Sequence, residues 1–186
     1  AGQLMLGLWA DSKDVALFAT AVRTAMLTSF ILISVNAIAA PRFAAAYKNN
    51  DLVSIEKTAI NSSKLMTLLA LPLIIFMLVF AEWIMSLFGG EFVEAANILR
   101  LLALGQFINV ITGSVGYLLQ MTGHEAILKR NVIIASMIVL IGGPILIPMF
   151  GIIGAAIVTS LSVATQNLMS YYQVKKLLGI NTFKIY

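Results

Sequence analysis

The chain has 186 residues, of which 60% are hydrophobic and 11% are charged, and its formal net charge is +4. Globular domains contain about 25% charged residues, so a water-soluble domain of this length could not bury so much apolar surface. The absence of cysteine excludes disulfide and thiol chemistry. Its basic residues lie between apolar runs rather than in one patch, which argues against nucleic-acid binding and favours a membrane protein.

Residues 1–14 are predicted to be the end of an earlier membrane helix and an outer loop. The chain opens within an apolar run and shows no charged segment typical of a signal peptide, so we expect it to be a piece of a longer protein. Five segments long enough to cross a bilayer follow, at 15–40, 65–88, 96–121, 132–150 and 152–172. This pattern predicts an all-α integral membrane protein, a polytopic helix bundle with five transmembrane helices over 15–174 and a cytoplasmic tail over 175–186.

The connections carry their own signals. Segment 42–64 is predicted to be the one long polar loop, with a short helix capped by Asn50 or Asp51. Glycine and proline crowd the junction of the fourth and fifth spans, which predicts a tight hairpin there. These residues are Gly142, Gly143, Pro144, Pro148, Gly151 and Gly154.

The distribution of basic residues predicts the orientation. The loops on one side hold Arg42, Lys48, Lys57, Lys64, Lys129, Arg130, Lys175, Lys176 and Lys184. The opposite side has only Lys13. Because short loops rich in Lys and Arg stay in the cytoplasm, the basic side and the C-terminus are predicted to be cytoplasmic.

A polar stripe runs along the third span. Gln106, Asn109, Gly113, Gly116 and Gln120 fall within about 80° of one another on a helix. Such a stripe either packs against other helices, with small residues and amides joining them, or lines a wet cavity. The fifth span repeats the pattern with Ala155, Thr159, Ser162, Gln166 and Ser170.

Two arginines lie within spans, where insertion costs about 2.5–3.5 kcal/mol. Arg23 has two interpretations: it reaches the outer head groups or pairs with Asp14, or it faces a cavity and binds an anionic group. Thr20 and Thr24 share its side of the helix. For Arg100, we expect a position near the head groups or an ion pair with Glu94 or Glu91.

Catalytic and metal-binding patterns are missing from the sequence. His124 is the only histidine and has no second ligand candidate nearby, so we expect it to help cap a helix. Glu82 precedes Trp83 at a span end and is predicted to be an exposed interfacial acid. No nucleophile–base set, phosphate loop or dinucleotide motif occurs. The sequence therefore predicts neither an enzyme nor a metal or cofactor site.

Four segments carry a family resemblance. They read AVRTAMLTSF, VNAIAAPRFAAAY, LFGGEFVEAANILRLLALGQFINVITGSVGYLLQMTGHE and FGIIGAAIVTSLS, and the third is the most specific. The chain resembles the C-terminal half of polysaccharide-biosynthesis flippases (Wzx-type O-antigen or oligosaccharide-unit translocases) of the multidrug/oligosaccharidyl-lipid/polysaccharide exporter superfamily. The resemblance covers nearly the whole chain.

The resemblance implies that the chain is the second lobe of a two-lobe transporter in the bacterial inner membrane. Such proteins flip undecaprenyl-pyrophosphate-linked sugar units, including those of lipopolysaccharide, to the outer leaflet by alternating access. Implied partners are the lipid-linked oligosaccharide, membrane lipids and the missing N-terminal lobe. Cavity candidates are Arg23, Thr20, Thr24, Gln106, Asn109, Gln120 and Gln166. Alternatives are a multidrug extruder or lipid II-type flippase of the same superfamily, or a structural membrane subunit.

Overall fold

The computed structural model describes residues 6–7 and 10–182, and these residues are helical almost throughout. The helices are α1 (Ser12–Ala25), α2 (Leu27–Lys48), α3 (Leu52–Val79), α4 (Ala81–Ser86), a 3₁₀ helix (Gly90–Ala95), α5 (Ala96–Thr112), α6 (Val115–Met121) and α7 (Glu125–Leu178). No strand occurs within the described ranges. The predicted helix end at the N-terminus lies largely outside them, as do residues 183–186 of the predicted tail.

Four continuous helical stretches are long and apolar enough to cross a membrane, which confirms the all-α membrane prediction. They are Ser12–Lys48, Leu52–Val79, Gly90–Thr112 and Glu125–Leu178. The last has 54 residues but changes direction at Gly151, where φ is 58° and ψ is −136°. The predicted fourth and fifth spans are therefore its two halves, α7a (125–150) and α7b (152–178).

The two halves of α7 run antiparallel, as the predicted hairpin requires. Ser162 Oγ donates a hydrogen bond of 2.7 Å to the carbonyl oxygen of Ala135, and Asn131 Nδ2 donates one of 3.0 Å to Ser170 Oγ. Nearer the turn, a Cβ at Gly154 would overlap the backbone carbonyl of Leu146. Glycine at this position therefore allows the two backbones to meet directly.

The predicted long polar loop at 42–64 is wrong, because α2 continues to Lys48 and α3 already begins at Leu52. Asp51 does cap α3: its Oδ1 accepts a hydrogen bond of 2.9 Å from the Ser54 N–H. Hydrogen bonding by the side chain and the N–H of Ser54 lowers the pKa of this carboxyl group. Buried residues at helical spacing explain the extension. They are Ile55, Ala59, Ser62, Ser63 and Met66. The basic residues of the segment lie on the exposed faces of α2 and α3 rather than in a loop.

The third span is interrupted at Gly113, which separates α5 from α6 and has a φ of 72°. A Cβ at this position would overlap the Ser63 hydroxyl of α3. Beside the break, Ser114 Oγ donates to Ser62 Oγ at 3.1 Å. The carbonyl of Thr112 accepts a hydrogen bond of 3.0 Å from Thr182, which lies beyond the end of α7. Two polar groups at the break, the Thr112 carbonyl and the Ser114 hydroxyl, thus have partners in distant parts of the chain.

The core forms two apolar clusters along the bundle. One joins α1, α5 and the tip of the α7 hairpin to the C-terminal part of α3, and it includes Phe18, Ile74 and Leu99. The other contains Phe43 and Leu118, and it reaches the end of α7b. On α2, on α3 and along α5–α6, buried polar residues separate the positions that belong to one cluster from those that belong to the other. They are Asn36, Ser62, Ser63, Thr112 and Ser114.

The segment after α7 turns back onto the bundle. Gly179 adopts a left-handed conformation, with a φ of 69° and a ψ of 2°, and ends the helix. Ile180 and Thr182 are buried, and Asn181 accepts a hydrogen bond of 2.9 Å from the Tyr171 hydroxyl. The described part of the predicted tail, residues 175–182, is therefore a continuation of α7 followed by a packed return segment.

The Gly154→Ala variant is expected to lose about 1–3 kcal/mol of stability, because its methyl group would force the two halves of α7 apart. Thermal unfolding in detergent measures this loss as a lower melting temperature. Gly90→Ala is the matched control, since a Cβ there has no neighbour within 4 Å among the described residues. Equal melting temperatures for the two variants would contradict the direct backbone contact.

Candidate functional site

An uncharged polar cleft of about 310 Å³ opens between α2, the α5–α6 break and α7b. Its polar lining residues are Ser29, Asn36, Gln106, Asn109, Tyr117, Gln166 and Asn167. None of the described residues that line it is charged. The cleft is therefore suited to a neutral ligand rich in hydrogen-bonding groups.

Helical spacing brings these residues to one place. On α2, Ser29 and Asn36 are seven residues apart, so they lie two turns from each other on one face. Gln106 and Asn109 occupy successive turns of α5, and Gln166 and Asn167 lie side by side on α7b. Gly113 and Gly116 also line the cleft, and their lack of side chains helps to keep it open.

Hydrogen bonding inside the cleft is incomplete. Asn109 Nδ2 donates to Gln106 Oε1 at 3.1 Å, and Asn167 Nδ2 donates to the carbonyl oxygen of Val163 at 2.9 Å. Asn36 is only 5% exposed, and its side-chain oxygen has no hydrogen-bond partner among the described residues. An unpaired buried acceptor costs about 1–3 kcal/mol, and a hydroxyl donor bound in the cleft would offset this cost.

The structure brings together three of the predicted cavity residues, Gln106, Asn109 and Gln166. Gln120 belongs to the same stripe but is exposed and outside the cleft lining. Much of the remaining polar face of the fifth span packs against α7a, through the hydrogen bonds of Ser162 and Ser170. The two interpretations of the polar stripes therefore apply to different turns of the helices.

Arg23, Thr20 and Thr24 lie on α1, away from the lining of the cleft. Both threonine hydroxyls donate to backbone carbonyls of the preceding turn, at 2.9 Å in each case. Arg23 is exposed, and it forms no ion pair within the described part of the chain, so the possible pair with Asp14 is not formed. A substrate-binding role for these three residues stays a prediction.

Four polar lining residues were missed by sequence reasoning: Ser29, Asn36, Tyr117 and Asn167. The spacing of Ser29 and Asn36 on the first span was the available signal, since it repeats the pattern of the third span. The contribution of Tyr117 depends on the break at Gly113, which changes the helical phase after Thr112. A continuous helix drawn through 96–121 could not reveal it.

The predicted partners of Arg100 are wrong. Its Nη2 lies 3.1 Å from a carboxylate oxygen of Glu82, and its Nε donates to the carbonyl oxygen of Leu78 at 3.2 Å. Glu94 instead pairs with Lys13 of α1 at 3.0 Å, because the 3₁₀ helix packs against α1. Glu82 is exposed, as predicted, and both ion pairs are too accessible to contribute much stability.

His124 helps to cap α6 as predicted, but through its backbone, because its N–H donates a hydrogen bond of 2.8 Å to the carbonyl oxygen of Leu119. His124 occupies the N-cap position of α7 but makes no side-chain capping hydrogen bond. Its Nδ1 instead lies 3.1 Å from the Thr122 hydroxyl, so the ring is turned back towards α6. Over the residues that the structure describes, no three potential metal-binding His, Asp or Glu side chains cluster.

Replacing Asn36 by leucine is expected to leave the melting temperature unchanged or raise it, because the substitution removes a buried acceptor that has no partner. Thermal unfolding in detergent provides the measurement. Ser114→Ala is the comparison, since it breaks the hydrogen bond to Ser62 and is expected to lose about 1 kcal/mol. A larger loss for Asn36→Leu than for Ser114→Ala would mean that Asn36 stabilises the bundle.

Comparisons with known proteins add independent information. The profile of the MatE family matches residues 1–145. Among curated proteins, the chain is 28% identical over 177 residues to the probable low-salt glycan biosynthesis flippase Agl15 of Haloferax volcanii. The alignment covers 95% of this chain and 38% of that relative, so the chain spans well under half of the relative's length. No solved structure gives a significant match.

Proposed function

We propose, since this chain belongs to the MatE family, that it forms one lobe of a transporter that flips a lipid-linked glycan across a membrane. The similarity to a glycan biosynthesis flippase favours this role over catalysis. In its specific form, the proposal is that an undecaprenyl-pyrophosphate-linked oligosaccharide moves from the cytoplasmic to the outer leaflet. The bacterial inner membrane, a cytoplasmic C-terminus and a preceding N-terminal lobe complete the proposal.

The uncharged cleft is the observation that carries the glycan assignment. Sugar hydroxyls both donate and accept hydrogen bonds, and amide side chains offer both functions at one position. Gln106, Asn109 and Gln166 supply such amides from two helices, and the unpaired oxygen of Asn36 supplies an acceptor from a third. Tyr117 adds an aromatic ring with a polar end. Together these groups suit a neutral, hydroxyl-rich ligand.

In an alternating-access transporter, the cleft would hold the glycan while the lobes change position. One lobe offers only part of a binding site, so the glycan would lie between this lobe and the preceding one. Rocking of the two lobes would then expose the glycan first to one membrane face and then to the other. Several weak, neutral contacts bind a ligand without holding it tightly. The glycan can therefore be released on the far side of the membrane.

Arg23 is proposed to bind the pyrophosphate of the carrier lipid, with Thr20 and Thr24 beside it. A guanidinium presents a planar set of donors that matches phosphate oxygens. Arg23 is exposed and has no carboxylate partner among the described residues, which supports an external anionic partner. It stands six residues before Ser29, about 9 Å of helical rise from the near edge of the cleft.

The alternative functions would require different residues in the lining of the cleft. A multidrug extruder for organic cations favours an acidic group at its binding site, and none of the described residues lining the cleft is acidic. A structural subunit would favour fully paired amides between closely packed helices, whereas this cleft is open and its Asn36 is unpaired. A lipid II-type flippase shares the carrier chemistry and differs in the glycan.

The double variant Gln106→Ala/Asn109→Ala is expected to reduce glycan flipping about 30-fold, because each lost hydrogen bond is worth about 1 kcal/mol and both amides face the cleft. The assay follows the appearance of labelled lipid-linked glycan on the outer leaflet in cells that produce the full-length protein. Gln120→Ala is the control, since this residue lies outside the cleft. Full activity of the double variant at normal protein levels would contradict the proposed glycan site.

Arg23→Ala is expected to lower flipping about 10- to 100-fold, the range for losing a hydrogen-bonded contact to a charged group. Arg23→Lys keeps the charge but not the planar fork, so an intermediate rate is expected. Binding of a polyprenyl pyrophosphate without its sugar provides the second measurement. Unchanged binding and flipping in Arg23→Ala would remove this residue from the proposed site while leaving the glycan cleft untested by that variant.

A further inference from the structure

A second depression lies on another face of α2, between α2 and α3, with a volume of about 420 Å³. It is a groove that is basic at one end and apolar along the rest of its length. Arg42 of α2 and Lys57 of α3 line one end, and Asn61 follows them. Ile38, Leu65 and Leu69 line the remainder. We call this depression the α2–α3 groove.

The α2–α3 groove is separate from the polar cleft. At 100° per residue, the α2 residues that line the groove centre about 135° from those that line the cleft. A molecule in the groove would therefore be divided from one in the cleft by the body of α2. The groove is thus off the path proposed for the glycan, and its ligand does not depend on the proposed function.

The length of the groove matches one leaflet of a bilayer. Lys57 and Leu69 are twelve residues apart on α3, which corresponds to about 18 Å of helical rise. The hydrocarbon core of a membrane is about 30 Å thick, so each leaflet contributes about 15 Å. Exposed side chains continue the apolar wall: Ile38 is 59% exposed and Leu69 is 49% exposed.

The charges at the basic end lack internal partners. Neither Arg42 nor Lys57 forms an ion pair in the described part of the chain. Both side chains are exposed, and they come from the ends of two neighbouring helices that are joined by the short connection 49–51. Two unpaired cations above an apolar groove of leaflet length complement an anionic head group that carries an acyl chain.

We propose that the α2–α3 groove binds one anionic phospholipid. Its phosphate would lie at Arg42 and Lys57, and one acyl chain would lie along Ile38, Leu65 and Leu69. Asn61 and Thr58 provide neutral hydrogen-bonding groups between the two parts, at the depth of the lipid glycerol. The bound lipid would fill the gap between the helices and fix α2 against α3.

Native mass spectrometry of the full-length protein tests the proposal. The protein is mixed in detergent with phosphatidylglycerol and phosphatidylcholine of identical acyl chains. We expect one phosphatidylglycerol to be retained in preference to phosphatidylcholine. Arg42→Ala/Lys57→Ala is expected to reduce this preference about tenfold, since each cation near a membrane surface contributes measurably to anionic-lipid binding.

Lys129→Ala/Arg130→Ala is the matched control, because it removes the same two residue types from the exposed start of α7. This control is expected to retain the preference. Ile38→Trp, at an exposed position, is expected to block the groove and release the lipid while both cations remain. Melting curves of all variants establish that they are folded.

Three results would overturn the proposal. The first is equal retention of both phospholipids by the wild-type protein. The second is a loss of preference in Lys129→Ala/Arg130→Ala as complete as that in Arg42→Ala/Lys57→Ala. In the third, a polyprenyl phosphate would displace phosphatidylglycerol at equal concentration, which would assign the groove to the carrier lipid. A negative result here would not contradict the proposed glycan flipping, because the flipping assays test residues outside the α2–α3 groove.

Discussion

The close approach of α5–α6 to α3 at Gly113 constrains much of this structure. A left-handed backbone conformation and contact with Ser63 leave no room for a side chain at this position. A break within a membrane helix exposes carbonyl and N–H groups, and in hydrocarbon each unsatisfied group costs several kcal/mol. Distant parts of the chain reduce this cost, since Thr182 donates to the Thr112 carbonyl and Ser62 accepts from the Ser114 hydroxyl.

The same break creates the opening of the cleft. Gly113 at the break and Gly116 in α6 both line the cleft, and neither has a side chain that would fill it. No side chain at these two positions covers Asn36 and Gln166, which line the same cleft. Large apolar side chains such as Phe30, Leu68 and Met149 are exposed on the outside of the bundle, whereas the amides of the cleft are partly or fully buried.

Periodicity predicted the parts of this arrangement that depend on one helix at a time. The stripe of Gln106 and Asn109 was visible because residues three apart share a face, whatever surrounds them. The hairpin at Gly151 was visible because glycine and proline mark a change of direction. In contrast, hydropathy measures the lipid-facing length of a helix rather than its full length, so α3 was expected to begin at residue 65 instead of Leu52.

Features that depend on two helices could not be read from the sequence. The partner of Arg100 was predicted from residues near it in the chain, whereas Glu82 reaches it from the other side of the α4 corner. Asn36 resembles any isolated amide in an apolar span until α5 and α7b are placed beside it. Arg23, Thr20 and Thr24 lie outside the cleft, so their role in binding stays a proposal.

The hydrogen bond from Thr182 to the Thr112 carbonyl also has a consequence for synthesis. The two residues are 70 positions apart, so the donor emerges from the ribosome several seconds after its acceptor at about 5–20 residues per second. During that interval the end of α5 lacks this partner. This hydrogen bond can therefore form only after the last helix has been made and residues 179–182 have folded back onto the bundle.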